Sequence, residues 1–434
     1  MRVLHLVNSS LPDRQVGYTI RSHQILVHQK AAGLEAEAAS LDFHRRKRPE
    51  ADTAKIDGVH YELFGYPVGR PRLPWKERRH ELALRLVGRS SGPMGLLGRE
   101  TVLIRWFIDQ AAERFSPSSG FDLIHAHSPY YCATAAEALA RRWKIPWVYE
   151  ARGFWEESAV TQGVHARDSA WYRFRRAAET RALRAADRVF AIGSTAKDEI
   201  VRRGVPAGRI DLAPNSVDAE RFRPGPKDPE LEREWDLTGR LVLGYVGSLR
   251  LLEGIDAMID LLPHVRRRVP NAVLLLVGGA PEDYQAELER RVDRLGVRDM
   301  VRFTGRVPFS RVEQMYRLID LFLVTRPDRE VTRLVTPLKP LEALASGLPV
   351  LASDLAALRE LVGGTPERGA LLPPDEPQVW AETIEALAKD PERRQRWGQA
   401  GRAWVERERS WPRLVERYQR GYAAARSRRT PGSV

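Results

Sequence analysis

Short apolar runs alternate with amphipathic stretches along almost the whole chain. Val3 to Val7 is a mostly apolar run, followed by a polar loop through Gly17 and a helical stretch from about Thr19 to Ala32 that Gly33 closes. The order of strand, loop and helix then recurs. Phe121 to His127 reads as a buried strand ending in polar residues, Ala133 to Trp143 as a helix, and Ile145 to Tyr149 as the next strand. Arg188 to Ile192, a helix over Thr195 to Arg203 ending at Gly204, and Ile210 to Ala213 carry the series to Pro214-Asn215. Repeated alternation of this kind predicts parallel sheets covered by helices.

A Pro-rich, charged segment from Phe222 to Pro229 interrupts the series, and Leu241 to Val246 begins a second one. Ala272 to Val277 before Gly278-Gly279, Val301 to Phe303 before Gly305, Leu321 to Val324, and Pro349 to Ala352 supply four more strands. At 434 residues the chain exceeds what one hydrophobic core usually supports, so two domains are expected. The pattern predicts an α/β protein with two Rossmann-like domains. The first spans 1–218 and the second 219–411, and a helix over 412–434 packs back on the first before a disordered tail from about Ser427. Open parallel sheets bind ligands beyond the carboxyl ends of their strands, so two such domains are expected to face an interdomain cleft.

One region breaks the rhythm. Arg70 to Ser116 holds Trp75, Lys76, Arg78, Arg79, Arg85, Arg89, Arg99, Arg105, Trp106 and Phe107 with little strand signal, which predicts a mostly helical insertion. Its apolar and basic mixture fits an anionic membrane surface as a partner, and equally fits a solvated helical face. The net charge of +13 favours phosphate-bearing partners of any kind without choosing among them. No recognised nucleic-acid motif or stacked aromatic platform accompanies the arginines, so nucleic acid is not expected. The single cysteine, Cys132, excludes an internal disulfide and reads as a small buried residue. The first apolar run is too short for a signal peptide core, and no window reaches the ~20 apolar residues of a membrane span, so a cytoplasmic location is expected.

The chemistry concentrates in Thr336 to Asp354. A loop with Thr336 and Lys339 enters a helix near Pro340, and amides at a helix start with an ammonium nearby suit a diphosphate. Glu342, inside the first turn, can accept hydrogen bonds from a ribose diol. The plainer reading makes Glu342 a favourable charge at a helix N-terminus and Lys339 a surface residue. In the first half, His125 and His127 lie on one face of a strand, and His127, at its carboxyl end, is the candidate that faces the cleft. Glu150, Arg152 and Glu156 follow another strand end, either lining an acceptor site or forming a structural ion pair around Arg152.

Pro337 to Asp354 resembles the donor-binding segment of family four retaining glycosyltransferases. Tyr245-Val-Gly-Ser248 with Glu253-Gly254, Gly278-Gly279, Phe303-Thr-Gly305 and Pro214-Asn-Ser-Val-Asp218 stand in the family's order, so the resemblance spans nearly the whole chain. It implies the GT-B fold, a ribose contact at Glu342, diphosphate contacts from the backbone amides of the loop Thr336-Pro337-Leu338, in which Pro337 itself has no N–H to donate, and a base site near Phe303, Gly305 and Val307. Gly17-Tyr18-Thr19 with Arg21 resembles the family's glycine loop, where the backbone approaches donor phosphate and acceptor. Asp122 to Ser128 and Tyr149 to Glu156 resemble, more narrowly, a bacterial subgroup associated with exopolysaccharide and exosortase gene clusters. The family commonly carries Arg and Lys where this chain has Ser248 and Glu253, beside Gly247, and an acid where it has Leu334. Arg250, Arg333 or Lys339 is then expected to supply the missing positive charge.

The resemblance implies a retaining transfer of a hexose from a nucleotide diphosphate sugar to a glycan or lipid-linked acceptor held by Tyr18, Arg21, Glu150, Arg152 and Glu156, with His127, Lys339 and Glu342 as the catalytic set. No Asp-X-Asp occurs, and beyond His125 and His127 no ligand-spaced cluster stands out, so neither a metal nor any other cofactor is expected. A sugar-nucleotide epimerase or hydrolase, and an inactive scaffold of a polysaccharide assembly, are the rival readings.

Overall fold

The computed structural model describes residues 1–11, 13–41, 53–64, 93–115 and 120–428. The chain divides into two compact units, Met1–Pro214 with Trp411–Val434, and Asn215–Ser410. The second unit thus starts at 215 and stops at 410, rather than at 219 and 411.

Unit 1 is built on an eight-stranded sheet: β1 (Arg2–Val7), β2 (Glu35–Ser40), β3 (Thr53–Ile56), β4 (Val59–Leu63), β5 (Leu123–His127), β6 (Trp147–Ala151), β7 (Arg188–Ala191) and β8 (Ile210–Leu212). Their spatial order is β3-β4-β2-β1-β5-β6-β7-β8, with every pairing parallel except the β3–β4 hairpin. The chain runs outward from β1 in one direction and then from β5 in the other, so the switch point lies between these two strands. Helix Trp411–Ser427 returns to this sheet. Its apolar stripe, Leu414, Val415, Tyr418, Tyr422 and Ala425, packs with Val3, Ile25, Leu123, Val148 and Phe190.

Within the insertion, residues 70–92 and 116 lie outside the described residues. Helix Pro93–Arg114 is described, and it packs against helix Tyr130–Trp143. Trp106 and Phe107 are buried there, so these two aromatics belong to the core of unit 1 rather than to a membrane-facing surface. Among the described residues no helix is long and apolar enough to cross a membrane.

Unit 2 carries a wholly parallel six-stranded sheet: β9 (Leu241–Val246), β10 (Ala272–Val277), β11 (Val301–Gly305), β12 (Leu321–Val324), β13 (Val350–Ser353) and β14 (Gly369–Leu372). The order is β11-β10-β9-β12-β13-β14, which puts its switch point between β9 and β12. The central strands are buried along their whole length, as the apolar runs require of a sheet covered on both faces.

Candidate functional site

In unit 2 the charged groups gather where β9 and β12 end. Gly247 follows β9 at φ 148°, and a Cβ there would lie 2.7 Å from Lys339 Cε and 3.2 Å from the Tyr245 hydroxyl. Only glycine lets the Lys339 stem lie across this turn. Gly254, at φ 69°, abuts the carbonyl of Thr325 after β12, where a Cβ would sit 1.8 Å from that oxygen. The contact brings Glu253 beside Arg326, whose Nε and Nη2 donate to the carboxylate at 3.1 and 2.9 Å. Lys339 Nζ is 4.0 Å from the same carboxylate. Burial pushes the Glu253 carboxyl up, but Arg326 and Lys339 overcome it and hold the group down at about 2.

Arg326 also reaches forward, its Nη1 donating to Val335 O at 3.2 Å, while Asn215 Nδ2 donates to Thr336 O at 2.8 Å. Two consecutive carbonyls of the loop before helix Lys339–Ala345 are thereby pinned. In that helix's first turn Glu342 accepts a hydrogen bond from the Tyr316 hydroxyl at 2.7 Å through Oε2. Burial raises the Glu342 carboxyl above its ordinary range, and the Tyr316 bond and Lys339 oppose this only in part.

Unit 1 holds a buried polar network around its switch point. Glu150, at the end of β6, has no exposure and receives Arg21 Nη2 at 2.9 Å, Arg152 Nε at 3.0 Å and the Tyr418 hydroxyl at 2.6 Å. Burial works against its charge, but the two guanidinium groups hold the carboxyl well below its ordinary range. Arg152 continues to Tyr18 O, Ser22 Oγ and His127 Nδ1.

A guanidinium only donates, so His127 Nδ1 accepts and its Nε2 carries the proton, which it gives to His5 Nδ1 at 2.9 Å. His5 Nε2 then donates to Gln29 Oε1 at 2.9 Å, Gln29 Nε2 donates to the Tyr422 hydroxyl at 2.8 Å, and Tyr422 donates to His125 Nδ1 at 2.6 Å. The circuit closes where His125 Nε2 faces Glu150 Oε2 at 3.3 Å, a poorly aligned contact that works as charge–dipole attraction. All three histidines are therefore neutral Nε2–H tautomers. Burial first, and then the neighbouring Arg152 and His125, depress His127 well below 6.5, and His5 and His125 are depressed by burial too.

Three imidazoles whose ligand atoms lie within 4.8 Å of one another suggest a metal centre. The bonding argues otherwise: the facing nitrogens already share protons, and the Arg152 guanidinium stands 2.6 Å from His127 Nδ1. The cluster is a structural hydrogen-bond circuit.

Two family models match the chain, glycosyltransferase family 4 over residues 39–221 and glycosyl transferases group 1 over residues 228–404. The chain belongs to the family-four glycosyltransferases. A GDP-mannose-dependent alpha-(1-6)-phosphatidylinositol monomannoside mannosyltransferase of Mycobacterium tuberculosis is 32% identical over 227 residues, a match covering 51% of this chain and 58% of the relative. The match thus spans little more than half the length of that relative. A D-inositol 3-phosphate glycosyltransferase of Nocardia farcinica is 28% identical over 70% of this chain and 67% of its own. Among solved structures, Anabaena HepE in complex with UDP aligns with a TM-score of 0.69 at 17% identity, covering 98% of this chain and all of that one. Sucrose-phosphate synthase from Thermosynechococcus elongatus aligns at 0.72 and 20% identity, covering 98% of each. The architecture is GT-B, with two Rossmann-like domains.

Set on this family-four frame, the donor candidates Gly247, Thr336, Pro337, Leu338, Lys339 and Glu342 come together in unit 2. Of the cations expected to replace the family's missing pair, Arg333 is held by Asp328 at the surface, and Arg250 is exposed beside the exposed Ser248. Lys339 alone of the three sits against the turn, and the missed cation is Arg326. Leu334 is buried in the helix Glu330–Leu334. Phe303, on the edge strand β11, and Val307, just after it, pack on the core of unit 2, with Gly305 exposed.

The acceptor candidates need correction. Arg21 and Glu150 are saturated by the buried network, and Glu156 pairs with the equally buried Arg203 at 2.7 Å. Arg152 is the ion-pair partner of Glu150, as one of the two open readings had it, and Tyr18 lies under its guanidinium at 4.7 Å. His127 is wholly buried with both nitrogens bonded, so it acts on Arg152 and His5 rather than offering a free atom at the strand end. His5 was missed, although a histidine inside the run Val3 to Val7 is itself a signal for a buried partner, and it sits in register with His125.

Proposed function

We propose that this chain is a metal-independent retaining glycosyltransferase that moves a hexose from a nucleotide diphosphate sugar to a glycan or lipid-linked acceptor. The observation that carries the reading is the Lys339–Glu342 turn at the β9–β12 switch point, with its preceding carbonyls pinned by Arg326 and Asn215. Pinning those carbonyls leaves the Leu338 and Lys339 amides and the ammonium to meet a diphosphate. The second oxygen of Glu342 meets the ribose while Tyr316 holds the first. Positive charge and amides stabilise the leaving diphosphate, which takes the acceptor's proton as the new bond forms on the same face of the sugar. Relatives described as GDP-mannose-dependent, and GT-B structures holding UDP or UDP-glucose, support a nucleoside diphosphate donor of either base. The acceptor belongs to unit 1, in cell-surface polysaccharide synthesis by the subgroup resemblance.

Calorimetry with UDP and GDP on the wild type and on Lys339→Ala and Glu342→Ala tests this. One nucleotide should bind the wild type, with binding and turnover falling at least about a hundredfold in each variant; unchanged binding in both would remove the site assignment. Glu253 gives the scaffold reading its one support, since a carboxylate replaces the family's usual lysine beside the diphosphate. Nucleotide binding with no sugar transfer would favour it, and released free or isomerised sugar would favour a hydrolase or epimerase.

A further inference from the structure

Helices Trp155–Thr161 and Ala170–Ala185 follow β6 in unit 1. The first ends in a left-handed turn at Gly163, φ 71°, where Gly163 N donates to Val160 O and Val164 N to Ala159 O, both at 3.0 Å. Such a turn commonly folds the next apolar side chain back onto its helix, yet Val164 is 64% exposed. Ser169 then caps the second helix by accepting from Tyr172 N, and that helix buries Tyr172, Glu179, Ala182 and Leu183. Its other side faces outward, with Phe174 37% exposed and, one turn earlier, Trp171 stacked on His165 at 4.0 Å. Trp155, 42% exposed, lines one cavity with Val164 and Trp171. Neighbouring exposed apolar side chains of this kind mark an interaction surface.

The charge beside these residues has one sign. Between 155 and 185 the chain has six arginines and four acids, and three of the acids, Glu156, Glu157 and Glu179, are buried, which leaves Asp168 at the surface. Arg173, Arg176, Arg181 and Arg184 line an open groove along the second helix. Arg173 and Arg184 are held by the carbonyl oxygens of Asp168 and Arg203 at 2.6 and 2.7 Å, which leaves their charge unspent. Arg176 meets Glu199 at 3.0 Å and Arg181 meets Glu137 at 2.8 Å, and both carboxylates are less exposed than the guanidinium groups, so the positive charge faces outward. The exposed Arg14 adds a cation on the wall of the cavity. Phosphates of a nucleic acid would use these arginines and leave Val164 and Phe174 in water. An anionic bilayer uses both sets, because guanidinium groups reach lipid phosphates while aromatic rings settle at headgroup level and aliphatic side chains enter the acyl boundary.

We infer that this face, from Trp155 to Arg184, docks on an anionic phospholipid surface. Arg173, Arg176, Arg181 and Arg184 meet headgroup phosphates, and Trp155, Val164 and Phe174 enter the interface. Docking of this kind needs no bound nucleotide and stands apart from the donor reading.

Cosedimentation of the full chain with phosphatidylcholine vesicles, with and without phosphatidylglycerol, tests it. The wild type should sediment with the phosphatidylglycerol vesicles and far less with phosphatidylcholine alone, and part of the binding should survive high salt, as apolar burial does. Arg173→Ala and Arg181→Ala should each weaken it about fivefold. Val164→Ser combined with Phe174→Ser should remove the part that salt leaves. These positions are exposed, so thermal unfolding and nucleotide calorimetry should keep their wild-type values in every variant. Failure of the donor reading would appear instead as absent nucleotide binding with vesicle binding intact. No sedimentation with phosphatidylglycerol vesicles, binding abolished entirely by salt, wild-type vesicle affinity in the arginine variants or in the Val164 and Phe174 double variant, or retention of single-stranded RNA without retention of vesicles would each overturn the inference.

Discussion

Glu253 and Arg326 are buried as a pair, and a buried ion is tolerable only while its partner remains. Arg326→Met strands the Glu253 carboxylate, and a loss of about 3–5 kcal/mol in the stability of unit 2 is expected. Replacing both residues by apolar ones should recover most of that loss while still releasing Val335 O, so donor affinity stays low. Denaturant unfolding beside nucleotide calorimetry separates the two effects, and a double variant with normal donor affinity would show that the pinned loop does not matter. Residue by residue, legibility followed sequence distance. Lys339 and Glu342 were readable because loop, helix start and acid fall within seven positions. Arg326 was not, because it meets Glu253 across 73 residues, through a close approach that depends on Gly254. The acceptor candidates misled for a related reason. Polar residues after a strand point to a site unless an unseen partner neutralises them, and Tyr418 lies 268 residues from Glu150.

Most strands could be read from their apolar runs, and β9, β10 and β12 have the expected bounds. β6 runs from Trp147 to Ala151 instead of 145 to 149, because Glu150, paired with two arginines, continues the strand where a polar residue is expected to end it. β2, Glu35–Ser40, has no β-branched or aromatic residue and is held by β1 and β4 on either side. β3 and β4 did carry a signal. Asp57-Gly58 at φ 47° and 75° is a two-residue hairpin turn that its sequence specifies. Helix Trp411–Ser427 completes the buried network of unit 1 through Tyr418 and Tyr422. Tyr422→Phe opens the circuit between Gln29 and His125, leaving Gln29 Nε2 and His125 Nδ1 without their hydrogen-bond partner, and should destabilise unit 1 by about 1–3 kcal/mol. Thermal unfolding of this variant should fall, and an unchanged midpoint would mean that water replaces the hydroxyl.

Across the whole protein the buried network sets a pH dependence. The histidines of the circuit are held neutral in the native state, while burial and Glu156 push the Glu179 carboxyl up to about 7. As pH falls below about 6.5, unfolding therefore takes up protons at the three histidines and releases one from Glu179. The histidines outnumber the raised carboxyls Glu179 and Glu342, so net proton uptake makes stability fall as pH drops, by at most about 3 kcal/mol per pH unit. Above about pH 7 the unfolded-state histidines are neutral and Glu179 is ionised in both states, so stability should level off. Denaturant titrations from pH 5 to 7.5 should show stability rising to a plateau near pH 7, with a shallower acid limb in His5→Gln; a flat profile would contradict the tautomer assignment. The return of helix Trp411–Ser427 to unit 1 also has a consequence during synthesis. When Glu150 leaves the ribosome, Tyr418 has not yet been made, and at about 5–20 residues per second it follows roughly 13–54 s later. Through that interval the nascent sheet carries carboxylate, imidazole and amide groups that must stay hydrated, while unit 2 is translated whole. The last helix is the step that dries the first half of the chain.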